Sequence, residues 1–260
     1  EIEYYNDRLE RAQSLSQQVV ERAKDDLDRL KVYEIEVQYP ISKNQMGAAI
    51  DVAWEALSLL GLSLPQDPDR LAEACDRLQQ SLSPWRGERI DELKHLPRMA
   101  DPYQYAALRI LVTVTPPVFI GRPHLFPVVA LSMVDLCVRG GNSEFAAFAY
   151  TEYSLLFVGT GGDVESGYRF GRLALELLER YPTRELKGQV YLVFNFFVRH
   201  WKEPLRATLD PLLESMHASL EVGDVEYACY AASFYCSYLA LSGEPLESAR
   251  QKISECLDSI

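Results

Sequence analysis

Basic residues are scarce in this chain: 26 Lys and Arg stand against 38 Asp and Glu, a net charge of −12 over 260 residues. An anionic chain with no local cluster of Lys or Arg repels phosphate backbones, which argues against nucleic acid as a partner. The short motifs of common catalytic sites are missing too. There is no Gly-x-Ser-x-Gly elbow, no His-Glu-x-x-His zinc helix and no Walker lysine behind a glycine-rich loop. Gly159-Thr160-Gly161-Gly162 falls between two helical patterns rather than after a strand, and reads as a helix-to-helix turn. His95, His124, His200 and His217 are too dispersed for a metal spacing. Five scattered cysteines, with no Cys-x-x-Cys, supply neither a disulfide framework nor a zinc knuckle. Cys229 and Cys236, seven apart on one helical face, read as small buried packing residues. No metal and no cofactor is expected, and the setting reads as a reducing cytoplasm.

Long apolar runs are also wanting. The longest uncharged stretch, Tyr227 to Gly243, is 17 residues rich in Tyr, Ala, Ser and Cys. It reads as a buried helix, shorter and more polar than a bilayer span, so no membrane association is expected. No basic-then-apolar leader is visible. Helical patterning begins almost at once after Glu1, so the chain reads as a piece of a longer polypeptide. What is present is an ordinary globular balance, 48% apolar and 25% charged, enough to bury a sizeable core.

The most informative positive feature is a period of 41. Turn chemistry recurs at Gly141-Asn142, Pro182-Thr183 and Gly223-Asp224, and again at Gly162-Asp163, Glu203-Pro204 and Glu244-Pro245. Asn142, Thr183 and Asp224 are good N-caps, and Pro204 and Pro245 suit a first helical turn. Phe145, Leu186 and Tyr227 each follow a cap by three, while Val164, Leu205 and Leu246 open the second helix of each pair. A helical hairpin cannot bury its apolar face alone, and stacking neighbours makes the core continuous. The expected fold is all-α: a right-handed α-solenoid of antiparallel helix pairs, tetratricopeptide-like but with a period longer than the usual ~34.

The N-terminal half is less regular. Helical spacing runs from about Asn6 to Lys24 through Leu9, Ala12, Leu15, Val19 and Ala23, then from Leu27 to Tyr39 before a break at Pro40-Ile41-Ser42. A further helix from about Asn44 to Leu60 offers Ala49, Ala53, Ala56 and Leu57 for close helix approach and Gly61 as its C-cap. Asp67-Pro68, Ser83-Pro84 and Asp101-Pro102 read as cap-plus-proline helix starts, and the β-branched run Ile110–Thr115 before Pro116-Pro117 as a helix end. One domain spanning 1–260 is expected, with less regular repeats over 1–100 and regular pairs over 101–260.

Two groups of residues could recognise a partner. Arg199, His200, Trp201 and Lys202 cluster just before Glu203-Pro204, where a cation, an imidazole and an indole could hold an anion or a peptide carboxylate. The plainer reading has Trp201 plugging the core between repeats while Arg199 and Lys202 complement the helix dipole. Aromatic residues recur on the first helix of each pair: Tyr150, Tyr153, Tyr191, Phe194, Phe197, Phe234, Tyr235 and Tyr238. First helices usually line a solenoid's concave side, so Tyr150, Tyr153, Phe197 and Tyr235 are candidate groove residues, with core filling as the plainer role. Acidic pairs such as Glu176/Glu179 and Glu221/Glu226 read as solvated helix faces.

Several stretches carry a resemblance. Ala49–Pro65, Gly141–Tyr150, Gly167-Tyr168-Arg169-Phe170-Gly171, His200-Trp201-Lys202 and Glu221-Val222-Gly223-Asp224 are similar to the tetratricopeptide-like region of very large multidomain signalling kinases, common in cyanobacteria. The resemblance extends over nearly the whole chain, although Glu36 stands where a tetratricopeptide would have a small glycine. It implies a serine/threonine kinase domain and a predicted nucleotide-switching ATPase before this region, with sensor (GAF) and histidine kinase domains after it. The shared motifs are turns and packing positions, so no active site carries over. The expected role is a non-catalytic, protein-binding regulatory scaffold that couples the ATPase switch to the kinase modules. Weak self-association of the isolated chain is also expected. The rival reading is a small-ligand sensor with a closed aromatic pocket around Trp201.

Overall fold

The computed structural model describes residues 3, 8–23 and 25–259. Among them all regular structure is helical and no β-strand occurs. The chain divides into two compact units, one comprising Glu1–Ser83 and Pro97–Gly141, the other Pro84–Leu96 and Asn142–Ile260.

The first unit holds α1 (Leu9–Arg22), α2 (Asp26–Ser42), α3 (Met46–Leu59), α4 (Pro68–Leu82), α5 (Pro102–Gly121) and α6 (Phe126–Gly140). The first expected helix ran from Asn6 to Lys24, and both of those residues lie outside the described ones. Of its apolar stripe Ala12 is buried, but Leu15 and Val19 are 44% and 48% exposed. Asp25 starts α2 by accepting from Asp28 N at 2.9 Å. The helix runs through Pro40, contrary to the expected break, because a proline in the last turn removes only one of the bonds that are fraying there. The break comes instead at Lys43–Gln45, where Asn44 takes a positive φ of 57°. Ala49, Ala53 and Ala56 are fully buried, and α3 packs against both α2 and α5 through these small side chains. Gly61, at φ +76°, ends α3 as expected, with its N–H donating to Ser58 O and Leu62 N donating to Leu57 O.

Asp67 and Asp101 cap α4 and α5 as the sequence indicates; Asp101 accepts from Tyr103 N at 2.8 Å and Gln104 N at 3.3 Å. Two expectations fail nearby. Ser83-Pro84 opens no α-helix: Ser83 closes α4, and a 3₁₀ segment, Gly87–His95, follows. Ile110–Thr115 is helical but not a helix end, since α5 continues through Pro116 and Pro117 to Gly121. Thr115 Oγ1, which donates to Leu111 O at 2.7 Å, and the buried Val114 and Val118 hold that stretch in the core. The one described helical window apolar enough to span a bilayer is Pro123–Gly140, and 67% of it is buried, as in the core helix of a folded domain.

The second unit carries the register. Its helices are α7 (Ala146–Leu156), α8 (Val164–Arg180), α9 (Arg184–Val193), α10 (Arg206–Glu221), α11 (Val225–Leu241) and α12 (Leu246–Asp258). They form three consecutive pairs; α7 packs on α8, α9 on α10 and α10 on α11, while α7 touches α9 and α9 touches α11. Asp224 caps as expected, accepting from Tyr227 N, and Asp163, expected only as a turn residue, also caps by accepting from Ser166 N. Thr183 occupies a cap position without a side-chain bond. Asn142 is no cap: it is fully buried and its Nδ2 donates to Leu93 O at 2.8 Å. That bond holds the 3₁₀ segment in this unit, where Lys94 also pairs with Glu176 at 2.9 Å and Arg180 donates to Lys94 O. The uncharged run at 227–243 is only half-buried, for Cys229 and Tyr230 are exposed on α11 opposite the buried Ala228, Ala231 and Ala232.

Candidate functional site

Two of the first helices end in an unusual way. α7 passes into a π-turn at Phe157–Gly161, and α9 into one at Phe194–Val198 followed by a 3₁₀ turn at Arg199–Trp201. A π-turn inserts one extra residue and rotates everything after it about the helix axis. In α9 the space for the wider turn comes from α8. Gly171 has no Cβ, and a Cβ there would lie 2.1 Å from the ring of the buried Phe194.

Beyond Phe194 the rotated backbone presents Phe196 and Phe197, both half-buried, to α11. Phe196 stacks on Phe234 with ring centroids 3.5 Å apart and planes 5° from parallel. Phe197 meets Phe196 edge-on at 4.8 Å, and Tyr238 leans on Phe196 at 4.9 Å. Leu155 of α7, like these phenyl rings, packs against the buried core of the second unit. The partly exposed rings of Phe196, Phe197 and Phe234 form an apolar strip where the end of α9 meets α11.

A polar turn borders the strip. Arg199 donates to Asn195 Oδ1 at 3.1 Å and to Glu203 at 2.7 Å, and Tyr168 of α8 donates to the other Glu203 oxygen at 2.5 Å. The Arg199 guanidinium, helped by the Tyr168 hydroxyl, holds the Glu203 carboxyl below the usual range. Lys202 pairs with Glu165, whose carboxyl is lowered by that contact. The Tyr238 hydroxyl donates to Phe196 O at 2.7 Å and lies 3.1 Å from His200 Nδ1. With that proton given to Phe196 O, the contact calls for a proton on His200 Nδ1; partial burial lowers the imidazole's pKa, against the opposing effect of the Phe196 carbonyl. Trp201 projects 57% exposed, with its ring 5.2 Å from His200.

The expected site residues thus separate. Phe197, Arg199, His200, Trp201 and Lys202 come together at this turn, while Tyr150, Tyr153 and Tyr235 are buried and serve as core. Tyr150 and Tyr153 pack on Phe170, with centroids 6.1 and 4.8 Å away, and burial raises the Tyr153 hydroxyl to about 12. Trp201 does not plug the core between repeats, and an indole so exposed has no closed pocket around it. Arg199 and Lys202 complement the carboxylates of Glu203 and Glu165 rather than a helix end alone. Phe196, Tyr168, Glu165 and Glu203 were not singled out as site residues; Glu203 was visible only as a turn residue. Among the described residues no group of His, Cys, Asp or Glu could hold a metal ion. The charges at this turn are matched by internal partners, and what remains open to a partner is ring surface.

Comparison with known proteins agrees with a signalling context. Over 155 residues, 59% of this chain, it is 24% identical to hybrid signal transduction histidine kinase G of Dictyostelium discoideum. The chain is distantly related to part of a signalling kinase. It spans only 4% of that protein's length. No family model matches the chain, and no solved structure matches it.

Proposed function

We propose that this chain is a non-catalytic scaffold within a signal-transduction kinase, and that it binds protein through the aromatic strip of its second unit. The carrying observation is the exposed Trp201 on a turn whose charges are already paired, in the unit that also carries the half-buried rings of Phe196, Phe197 and Phe234. Aromatic residues in such settings dominate protein–protein binding, because they bury large area at small entropic cost. The distant similarity to a hybrid histidine kinase supports the signalling context. The partner on this reading is a flanking ATPase or kinase domain of the same polypeptide. Right-handed stacking of the helix pairs would let small changes per pair add up to a change in the presented surface. The same reading makes the full-length protein a cytoplasmic kinase, with no nucleic acid or membrane as partner.

The test is a pull-down of the flanking ATPase domain with this chain, in the ATP-bound and ADP-bound states. Nucleotide-dependent capture that Trp201→Ala and Phe197→Ala weaken supports the scaffold. Equal absence of capture in both states removes the coupling role.

A further inference from the structure

A second candidate site lies in the first unit, away from the aromatic strip. α4 and α6 pack side by side, and together with the connector Leu62–Pro65 they line an open cleft of about 350 Å³. That volume lies at the small end of ligand cavities (roughly 300–1,000 Å³). The lining follows helical spacing: Ala74, Arg77, Leu78 and Ser81 from α4 meet Val128, Ser132, Asp135 and Arg139 from α6.

Three polar features make this more than a packing gap. Ser132 is 2% exposed, yet its hydroxyl has no hydrogen-bond partner among the described residues. A buried hydroxyl left unpaired is destabilising, so such a group invites a partner. Asp135, 5% exposed, is already engaged: Ser81 Oγ donates to one oxygen at 3.1 Å and Arg139 pairs with the other at 2.5 Å. Arg77 donates from Nε to Glu73 O at 3.3 Å, which leaves its terminal nitrogens without a bond among the described residues. Two arginines against one aspartate leave the cleft with one positive charge unmatched. Apart from Ser63, the remaining lining is apolar, with Leu62, Leu64, Leu78 and Val128.

We propose that this cleft binds a small monocarboxylic acid with an apolar body. The carboxylate pairs with Arg77 at the rim, a fork-to-fork contact that matches both charge and geometry. The body covers the apolar wall, and a carboxylate oxygen also accepts from the Ser132 hydroxyl. A single carboxylate balances the cleft's charge; a doubly charged phosphate overshoots it.

The probe is 4-phenylbutyrate, titrated calorimetrically into the whole chain, with 4-phenylbutanol and inorganic phosphate as controls. Saturable binding of the acid, with the alcohol weaker by at least about tenfold, is expected. Arg77→Met keeps the aliphatic stem and should lose about tenfold in affinity. Ser132→Ala should raise the melting temperature of the unliganded chain and weaken the acid as well; a merely structural hydroxyl would leave binding unchanged. Trp201→Ala should leave acid binding unaltered, which separates this site from protein docking. No saturable binding at millimolar acid, equal binding of acid and alcohol, tight binding of phosphate alone, or an unaffected Arg77→Met variant each overturns the proposal.

Discussion

Replacing Glu152 by Gln should stabilise the protein, and the gain should depend on pH in one direction only. Glu152 sits on α7, is 4% exposed and makes no hydrogen bond among the described residues. Burial alone lifts its carboxyl from an ordinary 4.5 to about 8. The folded state therefore keeps a proton that the unfolded chain gives up above pH 4.5. Stability from this group is fully present below that value and is lost as pH rises toward 8. At about 1.36 kcal/mol per pH unit, the whole span amounts to about 5 kcal/mol, and about 3 kcal/mol of it is already lost at pH 7. Gln is nearly isosteric and never ionises. Urea unfolding of both proteins from pH 4.5 to 8.5 should give curves that nearly coincide at the acid end and diverge steadily upward. A difference that stays flat across that range would refute the reasoning, because it would mean that Glu152 does not titrate between folded and unfolded states.

Other changes have equally definite outcomes. Gly171→Ala should destabilise the second unit by about 1–3 kcal/mol, measured by urea unfolding, since the new Cβ would lie 2.1 Å from the Phe194 ring. Asp101→Ala removes a side chain that serves two orphan N–H groups of α5, and should cost about 1 kcal/mol by the same assay. Trp201→Ala, by contrast, should change stability by less than about 0.5 kcal/mol because the ring is largely in water, so any effect on partner capture reflects recognition.

The register of the C-terminal helices was legible because its markers act locally. Asp163 and Asp224 cap by reaching their own third residue, a bond that needs no tertiary context. Asn142 carries the same chemistry but finds Leu93 O, a partner 49 residues back in the chain. No local rule anticipates that. Pro40, Pro116 and Pro117 mark helix ends by propensity, yet tertiary packing carries α5 through two of them. The π-turns have no residue signature; only the proximity of Gly171 to Phe194 shows why one fits. Tyrosine suits core and groove equally well, so Tyr150, Tyr153 and Tyr235 could be assigned only once their burial was known. The cleft beside Ser132 was hidden for a related reason: helical spacing aligns its lining residues on each helix but does not say which two helices face each other.

The central claim is that the face bearing Trp201 meets another protein domain. The most direct measurement places a photo-crosslinking benzoylphenylalanine at position 201 in the full-length polypeptide and identifies the adducts by mass spectrometry. The account predicts adducts to a neighbouring ATPase or kinase domain whose yield changes with nucleotide and falls when Phe197 is replaced by Ala. Adducts confined to residues of the same helical unit, unchanged by nucleotide, would contradict it.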